Sequence, residues 1–104
     1  MDKYLEASMS AFNVSKHCDH SSPQAFFDSY ISRKKQIIEG KIHAAKNGSA
    51  VNKKKLDWEI RVTQIAIKQK GLFLQRAAEF IENTKGSGVV DRAEQLLQDL
   101  QGVE

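Results

Sequence analysis

The chain is poor in the residues that interrupt helices. Its 104 residues include one proline and 6 glycines, which leaves long stretches unbroken and argues against a many-turned β fold. It has a single cysteine, Cys18, so no intramolecular disulfide can form. Long apolar runs are missing too. The longest, such as Ile65-Ala66-Ile67 and Leu72-Phe73-Leu74, fall far short of the roughly 20 residues that span a bilayer. The opening Met1-Asp2-Lys3-Tyr4-Leu5-Glu6 carries neither the basic nor the apolar region of a secretory signal peptide. These absences predict a small all-α protein of one domain, residues 1–104, with no membrane span. It is expected in a reducing cytoplasm, or exported without a cleavable signal.

What is present is unevenly charged. The net charge is +3, yet from Arg33 to Lys55 eight basic residues face one acid, Glu39, for a local charge of +7. The rest of the chain therefore carries −4, and from Gly86 onward Arg92 stands against Asp91, Glu94, Asp99 and Glu104. A basic middle and an acidic tail make the chain dipolar.

Periodicity and end signals divide the chain into helices. Residues 2–12 bring Tyr4, Leu5, Met9 and Phe12 roughly to one side, and a polar loop follows over 13–22. Ser22 is placed to cap a helix that starts at Pro23, where the missing N–H costs nothing; Ser21 with Gln24 is the competing register. Phe26, Phe27, Tyr30, Ile31, Ile37, Ile38, Ile42 and Ala45 then recur at helical spacing to about residue 46, and Asn47-Gly48 supplies a stop. A second long helix is expected from Asn52 as cap to about residue 83, on the order of 45 Å in length. Its polar residues Asp57, Arg61, Gln64, Lys68, Gln75 and Glu79 fall within about 80° of arc, which leaves most of the circumference apolar. Three stripes fill that circumference: Ile60, Ile67, Leu74, Ile81; Val62, Ala66, Phe73, Ala77, Phe80; and Trp58, Ile65, Leu72. A last helix over about 89–101 gathers Val89, Val90, Ala93, Leu96, Leu97 and Leu100 on one face. It is expected to cover the far end of the long helix, across a joint at Gly86-Ser87-Gly88.

The short connection 47–51 predicts an antiparallel hairpin of helices 23–46 and 53–83, flanked by the short helices into a small bundle. A turn centred near residue 50 sets Ile38 near Val62, Lys34 near Ala66, Phe27 near Phe73 and Phe26 near Leu74. It also sets Lys41 opposite Glu59, two charges that each interrupt an apolar face. They are expected either to pair as a register device or to snorkel separately to solvent.

No motif carries catalysis. No strand is expected, so no phosphate loop follows one, and the carboxylates are scattered over solvated faces. His17-Cys18-Asp19-His20 holds metal-ligand residue types, but a structural zinc site needs four ligands, no second cysteine exists, and the remaining histidine, His43, lies on the polar side of helix 23–46. Catalytic residues, metal, cofactor and small-molecule substrate are therefore not expected. In length and layout the chain resembles small helical-hairpin proteins of bacterial secretion systems and their chaperones, and phage or plasmid accessory proteins. The turn Asn47-Gly48-Ser49-Ala50-Val51 lacks the Trp-x-Gly of the secreted hairpin family named for that motif.

The leading expectation is a non-enzymatic interaction module, an adaptor, chaperone or assembly component that binds a protein partner or itself. Trp58, Ile65, Leu72 and Phe80, the positions least obviously covered by helix 23–46, would form the contact. The alternative is a nucleic-acid-associated hairpin that neutralises phosphates through Lys34, Lys35, Lys46, Lys53, Lys54 and Lys55.

Overall fold

A computed structural model describes residues 2–85 and 89–102. All regular structure among them is helical: α1 (Lys3–Asn13), α2 (Pro23–Lys46), α3 (Lys53–Lys68), α4 (Lys70–Lys85) and α5 (Val89–Gln101). The expected joint at Gly86-Ser87-Gly88 lies outside the described residues, as do the side chains of Val89 and Val90.

The helix ends follow from local chemistry. Asp2 accepts hydrogen bonds from the Tyr4 and Leu5 amides and starts α1. Ser22 accepts from the Ala25 amide at 3.0 Å, so it is the cap of α2 and Ser21 is not. At the other end Gly48 takes a φ of 78°, a left-handed conformation open to glycine without a Cβ penalty. The Ser49 amide then reaches the Ala44 carbonyl and the Gly48 amide the Ala45 carbonyl, which satisfies two terminal acceptors of α2. Asn52 caps α3 through the Lys55 amide.

α2 packs along both α3 and α4, and α1 lies on α3. The core joins Leu5, Met9 and Phe12 of α1 to Phe26 and Tyr30 of α2, Ala66 of α3, and Phe73, Ala77, Phe80 and Ile81 of α4. Phe26 stands at its centre. Its ring meets Phe12 and Phe73 edge to face and stacks on Phe80, all with centroids within 6 Å. The polar arc of the long stretch is where the spacing put it, with Asp57, Arg61, Gln64, Lys68, Gln75 and Glu79 all exposed.

Three features depart from the sequence reading. The expected continuous helix 53–83 is broken at Gln69, whose ψ of 39° is not helical. The Gln69 amide still reaches the Ile65 carbonyl and the Phe73 amide the Gln69 carbonyl, so the chain bends without turning back. Gly71, two residues on, is the local weak point, since glycine is about 1 kcal/mol less favourable than alanine inside a helix.

The register is the second departure. Phe27 does meet Phe73, with centroids 5.1 Å apart, but Phe26 faces Phe73 and Phe80 where Leu74 was expected. Glu59 pairs with Lys34 and not with Lys41, two helical turns further along α2. The connection explains the shift. Ala50, Val51 and Asn52 line the same depression as Gly40, Lys41 and Ala44, so the chain runs back along α2 before α3 begins. An extended residue advances about 3.3 Å, more than twice the rise of a helical one, and a few such residues use up the missing turns.

The third departure is α5. Every residue from Arg92 to Gly102 is exposed, so this part of α5 does not cover the far end of α4. α1 occupies that place: Leu5 and Met9 share a core with Ala77 and Ile81, and Arg76 of α4 binds Glu6 of α1 as well as its neighbour Glu79.

Candidate functional site

The expected contact residues divide between core and surface. Phe80 is only 7% exposed; it lies between Phe26 and the Arg76 guanidinium, 4.4 Å from its ring centroid. The expectation that Phe80 is free for a partner is corrected: it shares the buried face of Val62, Ala66, Phe73 and Ala77, and its ring stacks on Phe26 of α2. Ile65 is partly buried against the core. Trp58 is half-buried, with the Lys34 ammonium 5.2 Å from its ring. Only Leu72, at 45%, is exposed. The apolar surface that stays open is elsewhere. Ile60 and Ile67, one heptad apart on α3, are exposed, and α5 presents Leu96, Leu97 and Leu100 at 57%, 59% and 58%.

The basic set divides as well. Lys35, Lys46, Lys53, Lys54 and Lys55 are exposed, and none is within ion-pair distance of a carboxylate among the described residues. Lys34 is different. Its ammonium lies 2.7 Å from Glu59 Oε2, with the two side chains 9% and 7% exposed, and it sits over the rings of Tyr30 and Trp58. It is spent on a buried ion pair and is not available to a phosphate.

The chain matches no protein family, no curated protein and no solved structure. The reading of its surfaces therefore rests on its own geometry.

The loop 14–22 brings Cys18 and His20 together, with Sγ and Nε2 3.6 Å apart, and the same His20 nitrogen is 2.8 Å from Oδ1 of Asn13, the last residue of α1. Among the described residues no three His, Cys, Asp or Glu side chains converge on a metal position. Burial, with help from Asp19, pushes the Cys18 thiol up to about 11, which keeps it protonated and a poor nucleophile at neutral pH. No helix among the described residues is long and apolar enough to cross a membrane.

One buried polar contact escaped the sequence reading. Ser8 and Tyr30 share a hydroxyl hydrogen bond of 2.8 Å, and Ser8 replaces the exposed Tyr4 on the buried face of α1. A lone serine on a helix gives no sequence signal of such a partner. Burial pushes the Tyr30 phenol up to about 12; the Ser8 bond opposes this and the Glu59 carboxylate adds to it. The unfolded phenol ionises near 10, so between those two values the unfolded state gives up its proton first. Stability is then intact below pH 10 and falls as pH rises toward 12, by about 2 to 3 kcal/mol. Tyr30→Phe should flatten that part of the pH–stability curve, measured by urea titration at pH 9 to 11.

Proposed function

We propose that the chain is a non-enzymatic helical interaction module that binds a helical partner, or a second copy of itself. The contact is made through the apolar surface that its own bundle leaves uncovered. The observation that carries this reading is the leucine face of α5, where Leu96, Leu97 and Leu100 are all more than half exposed. A helix of 13 residues is marginal in water without tertiary contacts. Burying a leucine side chain stabilises by about 1.5 to 3 kcal/mol, so covering three of them is a strong driving force for association. Ile60, Ile67 and Leu72 extend the open apolar surface onto α3 and α4. The polar side of α5 carries Glu94 and Asp99, which suits a basic counter-surface such as the hairpin tip of another copy. The broad reading of adaptor, chaperone or assembly component narrows to a contact made with α5.

The test is sedimentation velocity over a concentration series, with the native chain and Leu97→Glu/Leu100→Glu side by side. The native chain should gain mass with concentration, or carry a stoichiometric partner when purified from its source, and the double variant should do neither. A native chain that stays monomeric and brings no α5-dependent partner would end this reading.

A second reading is supported by five exposed lysines of the hairpin, Lys35, Lys46, Lys53, Lys54 and Lys55, that have no carboxylate within ion-pair distance among the described residues. If they neutralise phosphates, binding to generic duplex should weaken steeply between low and moderate salt, and Lys53→Gln/Lys54→Gln/Lys55→Gln should flatten that dependence. Binding that ignores salt would remove it.

A further inference from the structure

A cleft of about 240 Å³ lies between the C-terminal half of α1, the middle of α2 and the start of α3. Its lining is mostly apolar, with Phe12 and Trp58 contributing aromatic rings, and the Lys34–Glu59 pair is among its lining residues. Arg33 and His17 line this cleft and also a smaller depression beside it, of about 110 Å³.

The charges in the cleft do not balance. Lys34 and Glu59 cancel each other. Arg33 is half-buried and has no carboxylate within ion-pair distance among the described residues. Partial desolvation, with the positive charges of Arg33 and Lys16, holds the imidazole of the exposed His17 below its ordinary range; among the described residues Arg33 is the lining guanidinium that no carboxylate balances. A partly desolvated guanidinium gains from a carboxylate, which it can hold with two parallel hydrogen bonds. Sites for drug-sized ligands run from about 300 to 1,000 Å³, so this one suits something smaller: a single ring with a short arm.

We propose that this cleft binds a small carboxylate bearing one apolar ring, its carboxylate on Arg33 and its ring against Phe12 and Trp58. The site is independent of the α5 surface, and neither reading depends on the other.

Trp58 is the only tryptophan of the chain and lines this cleft, so its fluorescence is a reporter placed at the proposed site. The full chain is titrated with phenylacetate and with the neutral isostere phenylacetamide at the same pH, and saturation-transfer NMR on each compound runs alongside. Phenylacetate should give a saturating change with a midpoint below about 1 mM, and phenylacetamide should bind at least tenfold more weakly. Arg33→Gln should bring the acid down to the level of the amide and leave the amide unchanged, whereas Lys54→Gln should alter neither. Equal binding of acid and amide to the native chain overturns the proposal without recourse to any variant. So does a change that never saturates, or an acid that binds by NMR while Trp58 stays silent.

Discussion

Lys34→Met should lower the stability of the protein by about 3 to 5 kcal/mol, the cost of leaving a buried charge without its partner. Glu59 keeps 7% of its side-chain surface, and its carboxylate is held by the Lys34 ammonium at 2.7 Å. With Lys34 gone, the carboxylate must either be desolvated unpaired or drag α3 apart to reach water. Replacing both residues, Lys34→Met with Glu59→Leu, should recover most of the loss and could exceed the native stability, since apolar pairs of similar volume often replace buried ion pairs at no cost. Lys41→Met is the control. Lys41 has no carboxylate within ion-pair distance among the described residues, so the change should stay within about 0.5 kcal/mol. Urea denaturation of the native chain and these variants reads the coupling directly. Additive effects of the Lys34 and Glu59 changes, or a large loss from Lys41, would contradict the observed pairing.

Phe26→Ala should be as damaging, at about 3 to 5 kcal/mol. Phe26 is fully buried, and its ring is shared by three parts of the fold: Phe12 of α1, Phe73 and Phe80 of α4, and His20 of the connecting loop. Truncation removes these contacts together and opens a cavity that rigid aromatic neighbours cannot easily fill. A chain of this size has a total stability on the order of 5 to 15 kcal/mol, so the variant sits close to unfolding at room temperature. Phe27→Ala, half-buried and packed on Phe73 alone among the aromatics, should lose clearly less. The check is the shift of the denaturation midpoint with the slope unchanged. Similar losses at 26 and 27 would mean that the aromatic core is not centred where the structure puts it.

The parts of this fold that were legible in the sequence are those determined by neighbouring residues. Ser22 with Pro23, Asn47-Gly48 and Asn52 are local hydrogen-bonding and φ signals, and each marks an observed helix end. Of the three apolar stripes, Val62, Ala66, Phe73, Ala77, Phe80 is the buried one; the spacing marks all three alike and does not say which of them meets the core. What escaped depends on distances between elements. Pairing Glu59 with Lys41 assumed a turn that costs no helix length, whereas Ala50 to Asn52 run beside α2 and displace α3 along it. The bend at Gln69 has only Gly71 as a sequence signal. The fate of α5 was least legible. Its amphipathic pattern says that Leu96, Leu97 and Leu100 need cover, but a pattern within one helix cannot say whether the cover is α4, another copy or another protein. In the site, the lysines of the tip could be read one by one, whereas the exclusion of Lys34 required knowing what faces it.

Hydrogen exchange of the native chain, followed by segment across a dilution series, is the most direct test of whether α5 is left for a partner. In dilute solution, amides within 89–101 should exchange close to the rate of an unstructured peptide, while the core amides around Phe26 and Tyr30 in α2 and around Phe73 and Ala77 in α4 stay protected. Raising the concentration, or restoring a native partner, should slow exchange in α5 far more than in α2. Protection of α5 equal to that of α4 at the lowest concentration would contradict this, because the leucine face would then already be buried within a single chain.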